Sequence, residues 1–125
     1  MESAILKQKI LDILEDKKAR GTIAIDVDNV TVLADSFIIC DGASATHIRA
    51  LADEVEKSLR DSFGIACRGK EGYNSARWIL LDYGDVVVHI FHEADRKFYD
   101  IERLWSDGIV TYDAARANRE IGRYV

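Results

Sequence analysis

The chain has 125 residues, 48% of them hydrophobic, with 17 Lys and Arg against 22 Asp and Glu, giving a net charge of −5. That length fits one domain with its own core, and the acidic balance argues against direct nucleic-acid binding as the main activity, because gripping a phosphate backbone needs a basic surface. The charged, periodic N-terminus does not resemble a secretory signal, no apolar run reaches membrane-span length, and Cys40 and Cys67 are isolated, so a cytoplasmic protein with reduced thiols is expected.

From about Ser3 to Ala19, Leu6, Ile10, Ile13, Leu14 and neighbouring Ile5 recur at helical spacing and predict an amphipathic helix. Lys17, Lys18 and Arg20 fall in its expected last turn, and Gly21 is the expected stop. Such a helix packs on a sheet or pairs with a second copy; the pattern does not separate the two. Thr22 to Asp28 alternates as a strand, followed by a turn at Asp28-Asn29 and a short apolar run, Val30 to Leu33. Asp26 and Asp28 share one side of that strand, a spacing that can hold a divalent cation but is more often a solvated edge. Asp35 to Asp41 is the next strand. It runs through Gly42 into a helix with Ser44 as N-cap, a stripe of Ile48, Leu51, Ala52, Val55 and Leu59, and Gly64 beyond its end. The glycine-bearing turn exposes backbone N–H groups that can meet an anion, though any tight strand-to-helix connection needs the same feature. Ile65 to Arg68 reads as a short strand and Gly69 to Ser75 as a polar loop.

Arg77 to Phe91 is the organising stretch: two β-rich runs flank a tight polar segment, which predicts a hairpin with a Tyr83-Gly84 loop. That register sets Asp82 opposite Asp85, Leu80 opposite Val87 and Trp78 opposite His89. Ile79, Leu81, Val86, Val88 and Ile90 then form a wholly aliphatic face, while Trp78, Leu80, Asp82, Asp85, Val87, His89 and Phe91 form the other. A mixture of aromatic, apolar and acidic groups suits a surface that is dry under a partner and wet at its rim. The competing reading is that a helix covers this face and His89 is hydrogen-bonded inside. His92 to Trp105 predicts one or two short helices packing through Phe98, Ile101, Leu104 and Trp105. Ser106 to Val125 is expected to be a peripheral or partly mobile extension, helical in composition from Asp113, so the domain is drawn as 1–105. With no proline, repeat or linker, a second domain is not expected.

Asp35-Ser36-Phe37-Ile38-Ile39, Gly42-x-Ser44-x-x-His47, Glu71-Gly72, Trp78-x-x-x-Asp82-Tyr83-Gly84-Asp85, Val88-His89-x-Phe91 and Arg96-x-x-Tyr99-x-x-Glu102-x-Leu104-Trp105 occur in one order. Together they resemble the ribosomal silencing factor family, also called Iojap-like, over roughly Leu6 to Trp105. The resemblance implies an α/β fold: a single compact domain with a mixed β-sheet packed with helices, nucleotidyltransferase-like but without the catalytic carboxylates. It implies a protein that is not an enzyme and uses no cofactor or metal. Such proteins bind the large ribosomal subunit at the protein numbered fourteen in the universal scheme and block joining of the small subunit, lowering translation when nutrients are short. The matching positions are Trp78, Asp82, Tyr83 and His89. With Leu80 and Asp85 from the same hairpin they make the expected partner-binding set, and Ser44, His47 and Lys70 are secondary candidates.

Two rivals belong to other classes. A nucleotidyltransferase would use Gly42-x-Ser44, but needs paired carboxylates near that turn to hold magnesium; Asp26-x-Asp28 lies before it and Cys67-Arg68 offers none. A homodimer would use the hairpin face twice about a two-fold axis. His89 and His92, three apart on an extended strand, point to opposite sides and make a poor metal pair.

Overall fold

The computed structural model describes residues 1–114. Helix α1 (Ser3–Asp16) leads into β1 (Arg20–Asp26) and β2 (Ser36–Gly42); α2 (Ala45–Phe63) then crosses to β3 (Gly69–Glu71), β4 (Trp78–Asp82) and β5 (Val86–His92). Two short helices, α3 (Glu93–Tyr99) and α4 (Ile101–Leu104), precede β6 (Ile109–Asp113). The strands form one mixed sheet in the order β3-β4-β5-β2-β1-β6, with β2 and β5 parallel and the other neighbours antiparallel. A parallel pair needs a long crossover, and α2 with the β3–β4 excursion supplies it.

Alternation along the strands puts a different core on each face. Under α1 and α2, Ile79, Leu81, Val86, Val88 and Ile90 from the hairpin pack with Leu6, Ile10, Leu14, Ile48, Leu51, Val55 and Leu59. On the reverse face a smaller core joins Ile25, Val27, Phe37, Ile39 and Phe91 to Ile101, with Trp78, Val87 and Trp105 half-buried against it. Helix α2 is capped as its sequence dictates: Ser44 Oγ accepts the His47 N–H at 3.1 Å, and Gly64 closes the helix at φ +66°. Cys40 and Cys67 are free thiols, one buried and one half-buried.

Several boundaries differ from those expected. α1 packs on the sheet but ends at Asp16, with Lys18 at φ 62°; Lys17, Lys18 and Arg20 therefore lie beyond its last turn. Gly21, expected to stop the helix, sits at φ +55° within a register irregularity of β1. Ile65 to Arg68 is not a strand. Ile65 and Cys67 cover the first core, and the edge strand is Gly69–Glu71, because Gly69 is the residue that meets Asp82 in the β4 ladder. Phe98, expected to pack, is 80% exposed, whereas Ile101 is buried and Trp105 half-buried; the Leu104 side chain lies outside the described residues. Within the stretch expected to be a peripheral extension, Ile109–Asp113 forms the sixth strand, an edge strand paired with β1. The helix expected from Asp113 onward falls mostly outside the described residues.

Candidate functional site

The hairpin register differs by two residues from the one expected. Trp78 pairs with Phe91, Leu80 with His89 and Asp82 with Val87, and Tyr83 N–H donates to the Val86 carbonyl, leaving Gly84-Asp85 as the turn. Gly84 takes φ +83°, a conformation easiest for glycine, and its N–H donates to Asp82 Oδ1 at 2.7 Å. A shift of two leaves every strand side chain on its predicted face. It does move the turn: Asp85 is an exposed turn residue rather than part of the face, and its carbonyl accepts from the N–H groups of Asp35 and Ser36. Tyr83 is the larger correction. It is not at the tip but buried in the core beneath α1 and α2, on the opposite side from Trp78, with burial pushing its phenol pKa up.

The second face is neither fully open nor fully covered. At one end α3, α4 and Trp105 close over it: Trp78 stacks on Phe91 at 4.9 Å and tilts against Tyr99 at 5.1 Å, while Trp105 meets Phe37 edge-on at 4.8 Å. At the other end Leu80, Val87 and Phe37 floor a shallow basin of about 360 Å³, bounded by Leu33 and Ala34. Asp82 and His89 are its polar members. Leu33 is 82% exposed, and the apolar run Val30 to Leu33 is an exposed loop. An apolar basin rimmed by carboxylate is the composition of a protein-docking site.

His89 is 4% exposed and joins the two ends. Its Nδ1 lies 3.1 Å from Trp78 Nε1, and its ring meets Phe37 edge-on at 5.0 Å. Indole N–H can only donate, so Nδ1 is the acceptor and the neutral ring carries its proton on Nε2. Burial lowers the pKa from 6.5 to about 4, so the ring is neutral at physiological pH.

Other predicted residues have local roles. Ser44 caps α2, and His47 donates through Nε2 to the Lys17 carbonyl at 3.3 Å. Lys70 pairs with Glu56 at 3.0 Å and lies over the Tyr73 ring. Asp26 Oδ1 accepts from Lys7 Nζ and Ser36 Oγ. None of these lines the basin. The basin residues that sequence reasoning passed over are Leu33, Ala34 and Phe37. The apolar run before β2 was the available signal, but its exposure is not encoded in periodicity.

The chain matches the family model described as Ribosomal silencing factor during starvation over residues 1–123. A Halalkalibacterium halodurans protein named Ribosomal silencing factor RsfS is 40% identical over 107 residues, 86% of this chain and 91% of that one. The crystal structure of a Chromobacterium violaceum protein aligns with a TM-score of 0.81 at 38% identity, over 85% of this chain and 88% of that chain. More distantly, a mouse protein named Mitochondrial assembly of ribosomal large subunit protein 1 is 26% identical over 102 residues, 78% of this chain and 43% of that one. Nearly full-length agreement in both sequence and sheet architecture leads to one assignment: the chain belongs to the ribosomal silencing factor family.

Proposed function

We propose that this protein binds the large ribosomal subunit through the open end of the hairpin's second face and sterically blocks joining of the small subunit, lowering translation when nutrients are short. The observation that carries the reading is the basin beside Trp78 and Leu80, an apolar surface with no cover among the described residues, in a chain of this family. The name of the mouse relative, which refers to assembly of the ribosomal large subunit, supports the choice of subunit. Large-subunit protein fourteen is the expected docking point, in the cytoplasm. No chemistry is required, because a folded domain seated on the intersubunit surface excludes its competitor by volume.

Affinity comes from a few buried anchors. Trp78, half-buried where the covered end of the face adjoins the basin through His89, is already ordered by Phe91, Tyr99 and His89, so docking against its exposed part costs little side-chain entropy. Asp82 at the basin and Asp85 at the turn favour a basic partner and speed encounter with it. The test is co-sedimentation with separated subunits, followed by a joining assay. Wild-type protein is expected to pellet with large subunits only and to prevent joining. Leu33→Asp, which alters an exposed side chain, and Trp78→Ala are each expected to weaken binding at least about tenfold. Full binding by folded forms of both variants would reject this face, and failure of the wild type to bind large subunits would reject the function. Self-association through the same patch would appear as a dimer in sedimentation velocity of the free protein.

A further inference from the structure

His89 Nε2 is the unusual atom of the basin. It is closed to solvent and has no hydrogen-bond partner among the described residues. The Trp78 bond to Nδ1 fixes the tautomer, so Nε2 carries a hydrogen with nothing to receive it. A buried donor left unpaired costs on the order of 1–3 kcal/mol, and in a residue that lines an open basin that cost can be recovered when a partner supplies the acceptor. The rest of the basin floor, Leu80, Val87 and Phe37, has no polar side-chain atom to compete for the same group.

We propose that His89 Nε2–H is the directional donor of the docking site, and that the ribosomal partner seats an aliphatic side chain in the basin with a neutral carbonyl oxygen on Nε2. This inference rests on the large-subunit reading above and adds the chemistry of the contact. A carbonyl is favoured over a carboxylate because Asp82 lines the same basin and repels a second anion. Because Nε2 is closed to solvent, the acceptor reaches it only if a lining side chain shifts as the partner docks. His89 then has two duties: Nδ1 holds Trp78 in place, and Nε2 checks that the partner carries an acceptor at the right depth. Partners lacking that oxygen would leave the donor buried and unpaired, which penalises wrong complexes more than it rewards the right one.

Two isosteres separate the duties. In His89→Asn the amide oxygen falls near the Nδ1 position and can still accept from Trp78, but nothing replaces Nε2–H. In His89→Gln the amide nitrogen falls near Nε2 and keeps a donor there, while the Nδ1 acceptor is lost. Co-sedimentation with large subunits is expected to show His89→Gln within a few-fold of wild type and His89→Asn weaker by on the order of tenfold. The reverse ranking, or equal binding by the two, would overturn the inference and leave His89 as a support for Trp78. Wild-type protein that fails to bind large subunits would overturn the parent reading and this one together. Should a variant not fold, wild-type protein labelled with ¹⁵N at histidine and saturated with isolated large-subunit protein fourteen gives the answer directly. The Nε2–H resonance is expected to move downfield and exchange more slowly, and an unmoved resonance, or a proton found on Nδ1 in the free protein, refutes the proposal.

Discussion

Acid should destabilise this fold through His89 in a window set by its burial. The folded-state pKa is about 4 against 6.5 for the ordinary side chain, so below pH 6.5 the unfolded chain takes up a proton that the folded chain refuses. Stability is unaffected by this group above pH 6.5, falls as pH drops toward 4, and gains no further loss below that. The gap corresponds to roughly 3 kcal/mol, a large fraction of what a domain of this size holds. Protonation also places a hydrogen on Nδ1, where the Trp78 N–H points, so the indole loses its acceptor as the ring becomes charged. The assay is urea unfolding of wild type and His89→Gln at half-unit steps from pH 7.5 to 4. Groups that wild type and variant share contribute equally to both curves and cancel to first order in the comparison. Wild type should lose roughly 3 kcal/mol relative to the variant across that range. A constant difference at every pH would refute the assignment of His89 as a neutral, desolvated ring.

Two further substitutions probe how the fold positions the site. Ser44→Ala removes the α2 cap at the opposite end of β2 from the basin; it should cost about 1 kcal/mol in denaturant unfolding while leaving large-subunit binding unchanged. Gly72→Ala would place a Cβ 2.0 Å from the Trp78 carbonyl oxygen at φ +79°, so at least about 2 kcal/mol of stability should be lost, and the displaced Trp78 should show altered fluorescence.

The two hairpin faces were legible because side-chain alternation has period two and an even error in register leaves it intact. The residues Ile79, Leu81, Val86, Val88 and Ile90 are buried as their pattern demands, although the turn lies at Gly84-Asp85 rather than Tyr83-Gly84. Tyr83 shows the limit of that tolerance. A residue read as loop carries no face assignment; once the turn moves by one position it becomes the last strand residue, and its odd number places it in the core with Leu81 and Ile79. Phe98 shows another limit: in a helix of only seven residues several phases of the apolar stripe fit equally well, and here Tyr99 reaches Trp78 while Phe98 points outward.

What the sequence determined by itself was local: the α2 stripe with its Ser44 cap and Gly64 end, the alternation of β4 and β5, and the ordered motifs that mark the family. Each rests on contacts within a few residues or on a fixed periodicity. Only the tertiary structure decided where the second face stays open. That depends on how far α3, α4 and Trp105 extend across β5 and on the loop carrying Leu33, segments distant along the chain whose meeting is set by the packing of two cores. The same meeting leaves His89 buried with one nitrogen bonded and the other without a partner among the described residues, which no spacing in the sequence encodes.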